Sequence, residues 1–276
     1  ERFIMNAKKS VLLLASVAML ASCGGAGMSR ADAIKKMGDI YTASTAKDFK
    51  DPTKVTITND VKGVTNTHIY DNEAKSYYAK YLGEAKITVG EEEMSIGANT
   101  QFWAYQDGEN IVVAGEGGDV GSKYYKFSKL IGSAAIAGGE AKYAAAVTGA
   151  KSNANPNNPY GIPAYLGKFL ESGSVDAGAT KANMYLKAGS ESYTSKGEGH
   201  LDAKFTAVYV GQTPEDEPLE YVWEGNLQTK VYNGKKGSTD EWKWGKADIA
   251  KPDLSKYEEM DVASATIMLA LIAASL

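Results

Sequence analysis

The sequence predicts a mainly β domain of the α+β kind, with antiparallel strands and few helices. Three observations carry this reading. Tyr is abundant, at 17 against 6 Phe and 4 Trp, and Gly reaches 29; such a Tyr-, Thr- and Gly-rich chain leans towards strands and turns. Apolar and polar residues alternate with period two, as where Val55 and Ile57 interleave with Thr56 and Thr58. Two-residue turn signals, Asp107-Gly108 and Asn233-Gly234, stand beside such stretches.

The elements follow in order. Ser29-Arg30-Ala31-Asp32 reads as a capping box, and Ile34, Met37, Ile40 and Tyr41 recur at helical spacing, so a short amphipathic helix runs to about Ala43. Strands are expected around 54–58, 68–70, 76–82, 86–89, 100–105, 111–113 and 123–127, forming an antiparallel meander. Residues 130–150 are Ala-rich and helical, with Gly138-Gly139 expected to weaken or split the helix. An Asn/Pro loop over 151–159 leads to a short helix over 160–170. Strands then resume at 182–186, 190–194, one longer strand over 200–210, 220–223, 226–232 and 242–244, with an acidic loop at 211–218. The tail 262–276 is apolar and uncharged; it reads either as a terminal helix packed on the sheet or as a frameshifted or truncated end.

The N-terminus carries a different signal. Lys8 and Lys9 precede a nearly unbroken apolar run over 11–20, closed by Leu20-Ala21-Ser22-Cys23. A charged start, a short apolar run and a small-residue cleavage site define a secretory signal, too short to be a spanning helix. The ending resembles the lipobox of bacterial lipoproteins. That resemblance implies a diacylglycerol thioether on Cys23, cleavage before it, and acylation, commonly with palmitate, of the new amino group; two or three chains give stable anchoring. Cys23 is the single cysteine of the chain, which excludes intrachain disulfides and any cysteine-based metal site or nucleophile. The division expected is 1–22 signal peptide, with 1–4 an upstream extension before Met5; 23–28 a glycine-rich lipidated tether; 29–257 one domain; and 258–276 an acidic, then apolar, tail.

After the signal the order is amphipathic helix, meander, helical insert, second meander, and the chain closes with Trp242-Lys243-Trp244-Gly245 followed by Ile249 and Pro252. This order resembles the LolA and LppX/LprG group of lipid-binding proteins, and the closing Gly-x-x-x-Ile-x-x-Pro phrase is similar to the one that forms or follows their last edge strand. The resemblance implies a strongly curved antiparallel sheet forming a half-barrel, with short helices packed on its concave face. A lipid or other apolar ligand would lie between sheet and helices, because apolar ligands prefer such hydrophobic spaces. Tyr77, Tyr81, Phe102, Tyr105, Phe205, Tyr209, Tyr221 and Trp223 would line that space, Tyr and Trp giving large apolar area with a polar tip; the same residues also suit an ordinary sheet core.

Catalytic chemistry is scarce. Only His68 and His200 are present, and no serine sits in a nucleophile-elbow pattern. Gly234-Lys235-Lys236-Gly237-Ser238 lacks phosphate-loop spacing and reads as a hairpin loop. The acidic runs 91–93 and 215–217 lack the spaced ligands of a calcium loop and read as solvated turns. The net charge of −4 comes with interspersed signs and no basic block for nucleic acid. The expectation is a non-enzyme without cofactor or metal, exported and held by the Cys23 lipid at the extracytoplasmic face of a bacterial membrane, carrying an apolar ligand. The alternative is a surface interaction or structural lipoprotein with a filled β core, binding a protein or glycan through its loops.

Overall fold

The computed structural model of the chain describes residues 27–89, 91–118, 120–167, 184–187, 189–209 and 218–275. The signal, the lipobox with Cys23, and the acidic loop through Glu217 lie outside the described residues. Helix α1 (Arg30–Ser44) starts where the capping box places it: the Ser29 hydroxyl oxygen accepts the Asp32 N–H, and Ala33, Met37, Ile40 and Ser44 form the buried stripe. After Pro52 the chain enters strand β1 (Lys54–Val61) and returns in β2 (Val64–Asp71) through Lys62 and Gly63. Both turn residues have positive φ, 53° and 83°, the tight type that matches strand twist.

Strands β3 (Ser76–Tyr81), β6 (Thr100–Asp107), β7 (Asn110–Glu116) and β8 (Lys123–Ser128) continue the antiparallel meander. Between β3 and β6, β4 (Ala85–Val89) and β5 (Glu92–Ile96) form a separate hairpin. The acidic run expected as a turn is therefore only partly one: Glu91 is in the turn, whereas Glu92 and Glu93 begin β5, with Glu93 paired to Lys86 across the hairpin at 2.6 Å.

Helix α2 (Lys129–Ser152) runs unbroken through Gly138-Gly139, so of the two expected outcomes, weakening or splitting, the split does not occur. The physical reason is packing. A Cβ at Gly139 would lie 2.4 Å from the Tyr77 ring, one at Gly132 2.5 Å from Ile111, and one at Gly138 2.6 Å from the Ala273 carbonyl oxygen. The glycines lower helix propensity by roughly 1 kcal/mol each, but they let α2 lie close on the sheet. Gly132, Ala135, Gly139, Tyr143, Val147 and Ala150 form the buried stripe at helical spacing. The Tyr143 hydroxyl donates to the Pro52 carbonyl, and Lys151 pairs with Asp51 at 2.6 Å, fastening α2 to the α1–β1 link.

Helix α3 (Ile162–Gly167) is short and buries Ile162, Pro163, Tyr165 and Leu166. Strand β9 (Met184–Leu186) follows, then β10 (Ser192–Thr194). The single strand expected over 200–210 is two: β11 (Leu201–Phe205) joins the main sheet, and β12 (Ala207–Tyr209) pairs with β9 in a separate ladder. The break is Thr206, whose N–H donates to Ser190 Oγ at 3.0 Å and whose carbonyl accepts the Lys187 N–H at 2.9 Å. Those bonds replace the ladder partners that a continuous strand would have used.

Strands β13 (Leu219–Glu224), β14 (Leu227–Asn233) and β15 (Ser238–Trp244) then carry the chain back to its first strand. The result is a mainly β fold around one open 12-stranded sheet, ordered β10-β11-β13-β14-β15-β1-β2-β3-β6-β7-β8-β16. Every neighbouring pair is antiparallel except β16 (Glu258–Glu259), which lies parallel to β8. Strand β15, which precedes Gly245, is therefore central, not an edge, and the closing phrase does something else. Residues 246–257 cross one face of the sheet, where the Trp103 indole N–H donates to the Ala250 carbonyl at 3.0 Å. Ile249, Leu254 and Tyr257 pack there on Trp103, Tyr105, Val112 and Ala114. Helix α4 (Val262–Ser275) ends the described chain, packed on α2 and the opposite face of the sheet with Ala265, Met268, Leu269 and Ile272 buried. No helix among the described residues is long and apolar enough to cross a membrane.

Candidate functional site

Antiparallel register places directly paired residues on one face of a sheet. One such row runs Trp244, Val55, Tyr70, Tyr77, Ala104, Val113 and Tyr125 across seven strands. A second, nearer the β1–β2 turn, runs Tyr193, Ala203, Tyr221, Val231, Asp240, Asn59, Asn66 and Tyr81 across eight. Two separate groups of helices cover this face. Helices α2 and α4 bury Tyr70, Tyr77, Ala79, Tyr81, Phe102 and Val113 over one half. Helices α1 and α3 bury Leu201, Ala203, Phe205 and Trp223 over the other.

Between the two groups lies a seam. Its floor is the middle of the sheet, where Ile57, Asn59, Asn66, His68, Val231, Asp240 and Trp242 all remain half-buried. One end is closed: Asn153, just past α2, donates to Gln228 Oε1 at 2.5 Å, and the Trp244 indole N–H donates to the Gln228 carbonyl at 2.8 Å. At the other end, beyond Asn59 and Asn66, the face runs out to Val61 and Val64, which are 40% and 42% exposed.

On the seam floor Asn59 Nδ2 donates to Asp240 Oδ1, whereas other polar groups are left without partners. Asn66 Oδ1 and His68 Nδ1 are buried atoms with no hydrogen bond, two residues apart on one face. At the closed end, Trp223 Nε1 and Gln228 Nε2, paired across β13 and β14 beside a β-bulge, are likewise unsatisfied donors. An orphaned buried polar group costs about 1–3 kcal/mol, so the two on the seam floor, Asn66 Oδ1 and His68 Nδ1, call for a partner. His68 is wedged between Tyr70, with ring centroids 6.4 Å apart, and Tyr81, at 5.5 Å edge-on. Burial, aided by the Lys142 cation, holds its pKa down at about 4, so the ring is neutral near pH 7. Burial also pushes the Tyr81 hydroxyl up to about 12. The seam thus has aromatic walls, with the Asp240 carboxylate and other hydrogen-bonding atoms along its floor and the Lys142 cation near His68.

The residues expected to line a cavity divide into groups. Tyr77, Tyr81 and Phe102 come together under α2, and all three are buried, Tyr77 against the bare Gly139 backbone. Phe205, Tyr221 and Trp223 come together under α1 and α3, with Tyr221 stacked between Phe205 at 5.7 Å and Trp223 at 6.3 Å. Tyr105 is on the opposite face, beneath Lys251, whose ammonium stands 4.5 Å from its ring centroid. Tyr209 lies in β12, outside the main sheet, and its side chain is outside the described residues. Asn66, Gln228 and Trp242 were not singled out by sequence reasoning. The available signal was a polar residue at an inward position of an alternating strand, visible only once register is known.

The second histidine serves its own turn, where His200 Nδ1 accepts the Lys196 N–H at 3.0 Å between β10 and β11. The 234–238 stretch is the hairpin loop its spacing implied, with Gly237 N–H donating to the Gly234 carbonyl. Among the described residues no group of three His, Cys, Asp or Glu side chains is placed to hold a metal.

No protein-family model matches the chain, and no curated protein does. Among solved structures, "Structure of PNGF-II in C2 space group" aligns over 80% of this chain and 33% of its own length, at 8% identity and a TM-score of 0.22. "Caulobacter crescentus pol III beta" aligns over 83% of this chain and 66% of its own, at 10% identity and a TM-score of 0.15. The chain thus spans a third of the first structure and under two thirds of the second. Likeness at this level carries no argument about fold or function.

Proposed function

We propose that this chain is an exported bacterial lipoprotein, held at the extracytoplasmic face of a membrane by the Cys23 lipid. Its sheet, curved as a half-barrel, takes a lipid or similar apolar molecule in the seam between its two helix groups. The observation that carries the ligand reading is the seam itself: half-buried aromatic and aliphatic residues lie on a face whose flanks are sealed by helices, with two orphaned polar atoms, Asn66 Oδ1 and His68 Nδ1, on its floor. An acyl chain gains about 0.8 kcal/mol per buried CH₂, so modest seam burial supplies useful affinity. The orphaned atoms give a headgroup or ester something to bond. The anchor reading rests on the lipobox resemblance, with Cys23 the single cysteine of the chain.

A specific observation also favours the second reading, a filled β core that binds a protein or glycan through its loops. Tyr77, Phe102, Phe205 and Trp223 are completely buried by the protein's own helices. Binding of a fluorescent fatty acid to the purified protein separates the two. Saturable binding that weakens when Trp242 or Ile57 becomes Asp supports the carrier; no binding, in protein first stripped of lipid by organic extraction and refolded, supports the filled core.

A further inference from the structure

Pairing in register sorts the seam floor into two adjoining rows of opposite character. Trp242, Ile57 and His68 stand side by side on β15, β1 and β2, and the row continues as Ala79 and Phe102. One step towards the β1–β2 turn, about 7 Å along the strands, Asp240, Asn59 and Asn66 stand side by side on the same three strands. The floor is therefore apolar along one line, save for His68, and polar along the next, with His68 and Asn66 adjoining on β2. The side chains of both rows on these three strands are half-buried. An amphipathic molecule matches such a floor, its chain on the first row and its head on the second.

The hydrogen bonds of the polar row say what that head must be. Asn59 Nδ2 is engaged by a carboxylate of this chain, donating to Asp240 Oδ1. Asn66 Oδ1 is a buried oxygen with no donor, and beside it His68 Nδ1 is a buried nitrogen with no partner. A carbonyl oxygen only accepts, so whatever satisfies Asn66 donates. A carboxylate, a phosphate diester or a bare ester has only acceptors; it would set lone pair against lone pair and leave the Asn66 oxygen unpaired. A cation fares no better. Burial and the ammonium of Lys142, exposed on α2, keep the His68 ring unprotonated near pH 7, and the same surroundings disfavour a charged amine. A hydroxyl is uncharged and both donates and accepts. One hydroxyl serves Asn66 Oδ1, and a neighbouring one meets His68 Nδ1 in whichever sense the ring tautomer allows.

We infer that the seam takes a lipid with an uncharged, hydrogen-bond-donating head, a monoacylglycerol or fatty alcohol, with its hydroxyls on Asn66 Oδ1 and His68 Nδ1 and its chain along Ile57 and Trp242. This rests on the carrier reading of the seam, and the test separates the two. The full chain, stripped of bound lipid, is titrated calorimetrically at neutral pH with monolauroylglycerol, methyl laurate, laurate and dodecylammonium, each below its aggregation limit. The four share one chain length and differ in whether the head donates and in its charge. The expected result is a Kd for monolauroylglycerol about tenfold below those of the other three. In Asn66→Leu, which keeps the side-chain volume and removes the oxygen, that advantage falls to about twofold or less; Asn66→Ala serves where the leucine variant folds poorly. Methyl laurate, laurate or dodecylammonium binding as tightly as monolauroylglycerol overturns the donor assignment and leaves the carrier standing. Laurate binding that is tightest and falls in Lys142→Gln assigns the head to that cation and overturns it too. An advantage that survives the loss of the Asn66 oxygen overturns the placement of the head. If none of the four binds, the carrier reading itself fails, and the head assignment with it.

Discussion

At the residue scale, glycine holds α2 close on the sheet. Gly139→Ala puts a methyl group 2.4 Å from the Tyr77 ring, so the variant is expected to lose about 1–3 kcal/mol in urea unfolding, despite alanine's better helix propensity. Gly149, whose Cβ would meet nothing within 4 Å, is the control, and Gly149→Ala should gain slightly. His68 supplies a pH signature. Its folded pKa is about 4 against 6.5 for a free histidine, so the unfolded chain binds more protons between those values. Its contribution to stability is full above pH 6.5 and is lost as pH falls towards 4. Chemical denaturation of wild type and His68→Gln across pH 4–7 should show a steeper fall for wild type, by an amount on the order of 2 kcal/mol at the acid end. Parallel curves would remove His68 from the account. The Trp103→Phe variant loses the bond to Ala250 that clamps the 246–257 crossing and should cost about 1 kcal/mol. None of these three roles was legible in the sequence. A glycine pair reads as a helix breaker until the tyrosine beneath it is known, and a lone histidine reads as incidental until its neighbours are.

At the element scale the sequence was more informative. Alternation and turn signals located most strands of the first meander, and the capping box placed the start of α1 to the residue. Local signals failed where tertiary partners decided the outcome. Thr206 breaks one alternating run into strands of two sheets because Ser190 and Lys187 capture its backbone, and no periodicity records that. Strand β15 goes to the centre of the sheet because β1, far earlier in the chain, has an edge to complete. The terminal helix is the sharpest case, since the apolar tail left two readings open. In the fold it buries Met268, Leu269 and Ile272 and lies against Gly138. Deleting residues 262–276 should therefore destabilise the α2 half of the molecule by several kcal/mol, on the order of 2–5 for each large core side chain lost. Hydrogen exchange should localise the loss to β3, β6 and β7 and spare β11 and β13. Uniform exchange across both halves would show that the two helix groups do not act separately.

At the scale of the whole molecule, one sheet carries two helix-covered cores with a half-buried seam between them. Under the proposed reading, the Cys23 lipid sets where the protein stands and the seam sets what it takes up. Cys23→Ala should move the protein from the membrane fraction to the soluble fraction on extraction without changing its unfolding midpoint, because the cysteine precedes every described contact. The candidate lining residues show how far sequence reaches at this scale. The aromatic alternation identified Tyr77, Phe102, Phe205 and Trp223 as inward residues, but not that helices seal them while Ile57, His68 and Trp242 stay half-open. That distinction depends on where the helices lie across the sheet. Native mass spectrometry of the full chain, released from membranes in mild detergent, tests the central claim most directly. The account predicts a mature protein starting at Cys23, heavier by its covalent acyl groups, together with a second population carrying one non-covalent lipid that is lost on collisional activation. A protein of unmodified mass with no bound lipid would contradict it.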